Sequence, residues 1–396
     1  MSQPFMFEKP IGMRDTLPAL YGTKRSLRER MEEKVEKWGY RPIKTPSLEF
    51  YDTIGNASAI LDQQLFKLLD QEGNTLVLRP DMTAPIARVA SSSLKEEPLP
   101  LRLSYHTPLF RAQQREGGRP AEFEQLGVEL VGDKSASADG EVIALMAETL
   151  HAAGLKDFQI AVGHIGYVNA LLKDIVGSED RAGVLRRYLY EKNYVGYKQH
   201  VKSLPLSSID KDRLLGLLKL RGGRAKLDDA RALVNNGEAA KALEDLEELY
   251  EVLETFEVTP YLSFDLNLVM HMEYYTGIVF EGYGSKLGFP LSSGGRYDEL
   301  LAKFNRPAQA TGFGVRMDLL TEAIGETEEN RRQTLVLFSK ERRKEALADA
   351  KALRAEGQVV VLQDMTGVED VDRLTEQFEE VRSFIGRSPK EDTRDA

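Results

Sequence analysis

The N-terminal part of the chain alternates between helical and extended patterns. Apolar residues recur every three or four positions within residues 23–39, which predicts an amphipathic helix that ends at Gly39. The next segment, RPIKTPSLEF, contains two prolines and is predicted to be extended, because a proline disfavours helix at the residue before it. The run LVLRPDMTAPIARVA (76–90) predicts a strand that leads into a helix.

Residues 101–132 predict an antiparallel hairpin. LRLSYHTPLF alternates apolar and polar side chains, as a half-buried strand does, and EFEQLGVELVG follows after the loop AQQREGGRPA, which we expect to be a mobile basic tip. The period of two places Gln125 and Glu129 on one face of the second strand and Leu126 and Val128 on the other. The apolar face is core, and the polar face is open to two interpretations, a solvated surface or a ligand site.

The second half of the chain contains a helical block between strand patterns. Helical periodicity and charge dominate residues from about 168 to 257, and strand alternation returns at YLSFDLNLVM (261–270). A mixed sheet that is rebuilt across a helical insertion is therefore predicted. After residue 330, QTLVLFS, a helix, QVVVLQD and a final amphipathic helix, VEDVDRLTEQFEEVRSF, predict a β-α-β-α order typical of a small parallel α/β unit.

These patterns predict the organisation of the chain. Residues 1–325 form one α+β domain that carries the helical insertion at about 168–257, and residues 331–388 form a small C-terminal α/β domain. Residues 389–396 are polar and charged, and we expect them to be a disordered tail.

The composition excludes several kinds of protein and site. The 396-residue chain has no cysteine, which excludes disulfides, thiolate metal sites and thiol nucleophiles. Its formal net charge of −10 counts against a main role in binding a nucleic-acid backbone. No apolar run approaches a membrane span and the N-terminus has no export signal, so we expect a cytoplasmic protein without membrane contact.

Common metal, cofactor and catalytic motifs are missing from the sequence. The five histidines lie far apart, and none belongs to an H-x-x-x-H or H-E-x-x-H arrangement, so we predict no metal site. The chain has no G-x-S-x-G turn, no Walker loop and no G-x-G-x-x-G that opens a helix after a strand. We therefore expect no cofactor.

Polar side chains from three separate segments have chemistry that suits a small zwitterion. Carboxylates and amides accept hydrogen bonds from an ammonium group, and a carboxylate together with a phenol satisfies both nitrogens of an imidazole. The candidates are Asp81 and Thr83 in RPDMTA, Gln125 and Glu129 in the second hairpin strand, and Tyr274 and Tyr275 in EYYTG.

Two arginines accompany the hairpin loop. Arg111 follows the first strand and Arg119 lies within the loop, and their guanidinium groups suit paired hydrogen bonds to phosphate oxygens. A solvated loop tip is an equally good interpretation. The Gly-rich turn GGRYD (294–298) is a weak phosphate signal, and close backbone packing is the favoured interpretation there.

Seven segments, in order, resemble histidyl-tRNA synthetase, a class II aminoacyl-tRNA synthetase. They are PIGMRDTLP, WGYRPIKTP, LRPDMTAPIAR, PLFRAQQREGGRPAEFEQLGVELVG, EYYTGIVFEGY, SSGGRYDEL and TGFGVR, and they extend over most of residues 5–325. The resemblance implies an antiparallel sheet flanked by helices and a homodimer, with Pro46 at the position of the interface proline of the first class II motif.

The resemblance also implies roles for the candidate residues. Asp81, Thr83 and Gln125 correspond to the residues that hold the amino group of histidine, although Asp81 stands where the family usually has glutamate. Glu129 and Tyr275 correspond to the residues that hold the imidazole, beside Tyr274. Arg111 and Arg119 correspond to arginines that hold ATP phosphates.

Three further positions depart from the synthetase pattern. The arginine that activates the histidine carboxylate is replaced by Met270, which can neither donate a hydrogen bond nor carry charge. In the third class II motif, Leu319 stands at the ATP-binding arginine and Arg316 at a glycine. Because adenylate formation needs cations that stabilise the phosphates, we expect no catalytic residues and no amino-acid activation.

A synthetase-like chain with these losses resembles the regulatory subunits of ATP phosphoribosyltransferase. That resemblance implies a short-form catalytic subunit as partner in the first step of histidine biosynthesis, L-histidine as feedback effector, and a homodimer within a hetero-oligomer. The acidic final helix predicts no tRNA binding. The alternatives are a divergent synthetase that forms histidyl-adenylate and charges tRNA, and an RNA-sensing module.

Overall fold

The computed structural model describes residues 8–55, 57–58, 60–112, 119–234, 237–270, 274–325 and 333–386, and the chain divides into two compact units at residue 326. Two predicted features lie outside the described residues. They are the tip of the hairpin loop, at residues 113–118, and the tail at residues 389–396. Among the described residues, no helix has the length and apolar character needed to cross a membrane.

The first unit combines helices with two sheets. Its strands are β1 Arg41–Pro42, β2 Leu48–Phe50, β3 Lys67–Leu69, β4 Thr75–Leu78, β5 Leu101–Phe110, β6 Glu122–Val131, β7 Phe158–His164, β8 Arg221–Gly222, β9 Leu262–Asp265, β10 Ile278–Gly284, β11 Ser292–Arg296 and β12 Ala310–Arg316. Its helices are α1 Pro18–Lys37, α2 Thr83–Ser91, α3 Ala136–Ala153, α4 Ile165–Val176, α5 Glu179–Tyr190, α6 Tyr194–Ser203, α7 Ser208–Leu217, α8 Ala225–Arg231, α9 Gly237–Thr255 and α10 Met317–Ile324.

The large sheet has nine strands within the described residues, in the order β1-β5-β6-β12-β11-β10-β7-β9-β8. Neighbouring strands are antiparallel except for β1 with β5 and β7 with β9. The predicted α+β architecture with a mixed, mainly antiparallel sheet is thereby confirmed. The predicted strand at 261–270 is too long, because β9 ends at Asp265 and the buried Leu266 and Leu268 continue its apolar pattern outside the sheet.

Both faces of the large sheet are covered. Helices α1, α3 and α10 pack on one face, where Leu126 and Val128 of β6 join a core that also contains Leu27 and Met31 of α1. Helix α2 covers part of the other face, together with Tyr274 and other apolar side chains. The hypothesis of a solvated face on β6 is therefore wrong for its central part.

Arg79 fixes the extended segment that follows β1. Its side chain is 1% exposed, and Nη1 donates to the carbonyl oxygens of Thr45 at 2.6 Å and Pro46 at 3.1 Å. Its Nε donates to the carbonyl oxygen of Pro108 in β5 at 3.1 Å. One buried guanidinium thus donates to three backbone carbonyls and ties the two segments together.

The small sheet, in the order β2-β4-β3, has one apolar face that is open to solvent. Direct cross-strand pairs place its members on that face, since Leu48 lies opposite Leu78, and Leu76 lies between Phe50 and Leu68. The exposed fractions of Leu48, Phe50 and Leu68 are 45%, 53% and 44%. The other face packs inward through Val77, which is fully buried. We call the solvent side the β2-β4-β3 apolar face.

The second unit contains β13 Gln333–Phe338, α11 Arg343–Ala355, β14 Val359–Asp364, α12 Val371–Thr375 and β15 Glu380–Phe384. The three strands are parallel in the order β14-β13-β15, and α11 packs on them through Ala346, Ala350 and Leu353. The predicted long final helix is wrong, because only α12 is helical and β15 pairs with the free edge of β13. The inference from an acidic final helix loses its basis with it.

Candidate functional site

The six side chains predicted to bind a zwitterion line one pocket of the first unit. It lies on the face of the large sheet opposite α1 and α3, between β6, β12 and the start of α2. The six are Asp81, Thr83, Gln125, Glu129, Tyr274 and Tyr275. Arg111 lines the same pocket, whereas Arg119 does not, because it is exposed and its guanidinium lies over the ring of Phe289 at 5.4 Å.

Two glycines of β12 make room for the polar side chains of β6. A Cβ at Gly312 would meet a carboxylate oxygen of Glu129, and a Cβ at Gly314 would lie 2.5 Å from the side-chain amide of Gln125. The register places Gly312 directly opposite Glu129. Any larger residue at these positions would therefore push a pocket side chain out of place.

The start of α2 presents a buried carboxylate to the pocket. Asp81 is 3% exposed, and its Oδ1 accepts a hydrogen bond from the backbone N–H of Ala84 at 3.2 Å. The hydroxyl of Ser58 donates to Oδ2. A carboxylate near the first turn is favoured because it satisfies a free N–H of the helix and faces the positive end of the helix dipole.

A chain of hydrogen bonds orders the carboxyl group of Glu129. The hydroxyl of Tyr274 donates to Oγ1 of Thr83 at 3.3 Å, and Thr83 donates to Oε1 of Glu129 at 2.9 Å. The phenol of Tyr297 donates to Oε2. Glu129 is only 2% exposed, so these donors replace the water that the carboxyl group loses on folding.

Burial controls the protonation of Glu129. It raises the pKa of this carboxyl group to about 8, with a smaller contribution from the negative charge of Asp81, while the hydrogen bonds from Tyr297 and Thr83 act in the opposite direction. The group therefore changes charge near neutral pH, where a ligand that donates a hydrogen bond favours the ionised form.

Two tyrosines of the pocket were missed in the sequence. The hydroxyl of Tyr105 donates to Oε1 of Gln125 at 2.8 Å, which leaves this oxygen a second lone pair for a ligand donor. Tyr105 lies opposite Gly127, where a Cβ would be 2.5 Å from its hydroxyl, so the pairing of a tyrosine with a glycine across the hairpin was an available signal. Tyr297 belongs to the GGRYD turn, which was interpreted as backbone packing alone.

Three of the tyrosines that line the pocket pack against one another through their rings. Ring centroids of Tyr274 and Tyr275 are 4.9 Å apart, and those of Tyr274 and Tyr297 are 5.7 Å apart, both in edge-to-face geometry. Burial raises the pKa of Tyr275 far above its ordinary value, so its phenol stays neutral and keeps its proton for donation. Tyr275 also packs against Gly295, where a Cβ would be 2.9 Å from its ring.

Two guanidinium groups, one of them from the pocket residue Arg111, lie over the ring of Phe123. Arg111 donates from Nε to the carbonyl oxygen of Pro80 at 2.9 Å and lies over the ring of Phe123 at 5.3 Å. Arg316 lies over the same ring at 4.2 Å and forms a two-point ion pair with Asp318, at 2.7 and 3.2 Å. Burial lowers the pKa of Arg111, and the charge of Arg316 acts in the same direction while that of Asp81 opposes it.

The two positions at which the arginines of the synthetase pattern are replaced carry no charge. Leu319 belongs to α10 and is buried in the core, and Met270 is half-buried. Residues 271–273, which complete the segment before the paired tyrosines, lie outside the described residues. In the part of the chain that is described, no three acidic or histidine side chains are grouped in a way that could hold a metal ion.

Comparisons with known proteins agree in both units. The family model described as histidyl-tRNA synthetase matches residues 12–320, and the model described as histidyl-tRNA synthetase HisZ, C-terminal domain, matches residues 335–386. A protein of Halalkalibacterium halodurans named ATP phosphoribosyltransferase regulatory subunit is 63% identical over 98% of both chains. One of the same name from Geobacillus thermodenitrificans is 60% identical over 97% of this chain and 98% of its own.

Solved structures give the same result for the fold. A structure described as an ATP phosphoribosyltransferase regulatory subunit/histidyl-tRNA synthetase from Bacillus halodurans has a TM-score of 0.92 and 62% identity, and the match covers 98% of this chain and 100% of that one. Histidyl-tRNA synthetase from Nostoc has a TM-score of 0.78 at 19% identity, over 94% and 88% of the two chains. The predicted class II synthetase-like fold is confirmed.

Proposed function

The chain belongs to the family of ATP phosphoribosyltransferase regulatory subunits, and from that premise we propose that it binds L-histidine in the pocket described above and transmits this binding to a short-form catalytic subunit. Its own chain performs no catalysis in this proposal. The observation that carries it is the convergence of six polar side chains, from three distant segments, on one buried pocket whose chemistry matches an amino acid with an imidazole side chain.

Each end of histidine has a matching group in the pocket. Asp81, with Thr83 and Gln125, accepts hydrogen bonds from the ammonium group, and the negative charge of Asp81 balances it. At the other end, Glu129 accepts the imidazole N–H while the phenol of Tyr275 donates to the second ring nitrogen. Tyr274 holds Thr83 in place through the 3.3 Å hydrogen bond between their hydroxyls.

The lack of catalysis follows in this proposal from the substitutions at two arginine positions. Met270 and Leu319 carry no charge, and removal of one preorganised charge partner commonly costs a factor of about a hundred or more in rate. Arg111 and Arg119 stay predicted phosphate ligands. Their separation in the structure supports that role for Arg111 alone, because Arg119 lies over Phe289.

The proposed assembly is a homodimer within a hetero-oligomer that contains the catalytic subunit, in the cytoplasm. The β2-β4-β3 apolar face supports self-association, because an exposed cluster of large apolar residues on a folded chain often marks an interface. This face directly follows the segment that contains Pro46, which Arg79 holds in place. Histidine would act by a difference in its affinity for two states of the assembly.

The test is an assay of phosphoribosyl-ATP formation from ATP and phosphoribosyl pyrophosphate by the cognate short-form catalytic subunit. We expect this protein to stimulate the reaction and L-histidine to inhibit the stimulated reaction. The substitution Tyr275→Phe removes one hydrogen bond to the imidazole and is expected to raise the inhibitory histidine concentration about three- to tenfold. Tyr261→Phe, at a tyrosine that stacks on Phe158 away from the pocket, is the matched control.

Three results would contradict the proposal in different ways. Failure to associate with or stimulate the catalytic subunit would remove the regulatory role. Equal inhibition of wild type and Tyr275→Phe would place the histidine site elsewhere. Histidine-dependent exchange of ATP with pyrophosphate by this chain alone would instead establish a divergent synthetase.

A further inference from the structure

We propose that Arg316, beside Arg111, binds the carboxylate of the amino-acid ligand and so determines that the pocket accepts an intact amino acid rather than its amine or alcohol analogue. This inference rests on the proposed function, because it concerns the remaining polar group of the same ligand, its carboxylate. Asp81 and Glu129 account for the ammonium and the imidazole, and the carboxylate still needs a cation.

The register of the sheet places Arg316 on the pocket face. Along β12, residues 312, 314 and 316 point to one face, and Gly312 and Gly314 line the pocket. Arg316 lies opposite Gln125, a pocket residue of β6, and its guanidinium covers Phe123, which precedes Gln125 by two positions on the same face. Arg316 thus occupies the next position on the same face of β12 after the pocket residues Gly312 and Gly314.

The hydrogen-bonding groups of Arg316 are only partly used. Its Nε and Nη2 donate to the two carboxylate oxygens of Asp318, at 3.2 and 2.7 Å. Among the described residues, Nη1 has no hydrogen-bond partner, and the side chain is 17% exposed. A guanidinium carries five N–H groups, so one edge stays available for a carboxylate oxygen.

The charge balance around Arg111 and Arg316 favours an anion. Arg111 and Arg316 lie over the same phenylalanine ring, and burial lowers the pKa of Arg111, with the positive charge of Arg316 acting in the same direction and the charge of Asp81 opposing it. Asp318 balances Arg316, and Asp81, the negative charge that acts on Arg111, is assigned in the proposed function to the ammonium group of the ligand. A carboxylate that contacts both guanidinium groups removes their repulsion in a half-buried site, where charge-assisted hydrogen bonds are strong.

The competing interpretation is purely structural. Arg316 precedes α10 directly, and its ion pair with Asp318 in the first turn could serve only to fix the start of that helix. A measurement must therefore separate the loss of a carboxylate contact from a general loss of the pocket. Stability alone does not distinguish them.

The experiment compares two ligands on matched variants by isothermal titration calorimetry. L-histidinol keeps the ammonium and the imidazole of L-histidine but has a hydroxyl in place of the carboxylate. We expect wild type to prefer histidine over histidinol by a factor of ten or more. Arg316→Met is expected to weaken histidine binding about ten- to a hundredfold, as for a hydrogen bond to a charged group, and to leave histidinol binding nearly unchanged.

Two further variants keep the result interpretable. Arg316→Lys retains the charge and should recover part of the preference for histidine, even where Arg316→Met is poorly folded. Arg343→Met in the second unit is the control, because Arg343 also lies over a phenylalanine, Phe338, at 5.8 Å and pairs with an aspartate, Asp364, at 3.1 Å. It should bind both ligands as wild type does.

Two outcomes overturn the inference while the proposed function stands. If Arg316→Met weakened the binding of histidine and of histidinol equally, Arg316 would be a structural residue. Equal affinity of wild type for the two ligands would show that no group of the pocket recognises the carboxylate. Failure of wild type to bind histidine at all would instead overturn the proposed function itself.

Discussion

Gly312 lies directly opposite Glu129 in the ladder between β6 and β12, and the place that a Cβ at residue 312 would take is filled by a carboxylate oxygen of Glu129. We expect Gly312→Ala to displace that carboxylate and abolish measurable histidine binding. The added methyl group would also meet the backbone carbonyl of Val128, so the strand must shift, at a cost of about 1–3 kcal/mol in the free energy of unfolding. Urea denaturation and calorimetric titration measure the two effects.

Gly314→Ala is the matched comparison. The three nearest atoms to its added methyl group all belong to the side-chain amide of Gln125, which can move without the backbone. We expect about a tenfold loss of histidine affinity and a smaller loss of stability than in Gly312→Ala, because one hydrogen bond to a charged ammonium is lost. Wild-type affinity in both variants would contradict the roles given to Glu129 and Gln125.

The stability of the protein should depend on the titration of Glu129. Burial raises its pKa to about 8 in the folded protein, above its ordinary value of 4.5 in an unfolded chain. The folded state therefore binds this proton more tightly, and stability falls as the pH rises from 4.5 towards 8, by up to about 1.4 kcal/mol per pH unit. Glu129→Gln cannot titrate.

We expect Glu129→Gln to gain stability relative to wild type as the pH increases over this range. Urea denaturation of both proteins at pH 5 and pH 8 gives the comparison, and the difference between the two proteins isolates this group from all other titrations. An identical pH dependence in the two proteins would contradict a buried group with a raised pKa.

Histidine binding should release a proton near neutral pH. If the imidazole N–H donates to Glu129, the ligand favours the ionised carboxylate, so affinity rises between pH 7 and pH 8 by up to tenfold per unit. The imidazole of the ligand is already neutral in this range. Calorimetric titration in two buffers with different ionisation enthalpies counts the released protons, and Glu129→Gln should release none through this group.

The β2-β4-β3 apolar face should hold two copies of the chain together. We expect the double substitution of Phe50→Glu with Leu68→Glu to give monomers, because it places charges on a face that would be buried in the dimer. Sedimentation velocity measures the change. Leu347→Glu, at a residue of α11 that is 48% exposed, is the control, and a dimer that survives the double substitution would require another interface.

Periodicity in the sequence was enough to predict the elements with one clear apolar face. Helix α1 and the β5–β6 hairpin were predicted from apolar residues that recur every three or four positions in the helix and every second position in the strands. It failed at β15, where charged residues spaced like a helix surface flank Val381 and Phe384. That segment becomes a strand because β13 offers a free edge and Phe384 packs into the core of the second unit.

The pocket residues were predicted from their chemistry and their roles from resemblance, because spacing alone could not show that residue 81 lies near residue 275. What joins them is the register of β6 with β12 and the space left by Gly312 and Gly314, which are long-range features. The hydrogen-bond partners of the pocket side chains were even harder to predict from the sequence. Tyr105 and Tyr297 looked like ordinary core residues, since nothing local shows that a phenol will meet a buried carboxyl or amide.

The parallel pairing of β7 with β9 limits how this protein can be shortened. The chain leaves β7 at His164 and re-enters at Leu262, which lies opposite Ile160 near the other end of the strand. A tight turn cannot join parallel strands, so helices α4–α9 form the crossover between them. A minimal chain made by closing the gap with a short linker would lose β9, whereas exchange of these helices for an unrelated crossover of sufficient reach would keep β9 in the sheet and lose only the two-residue edge strand β8.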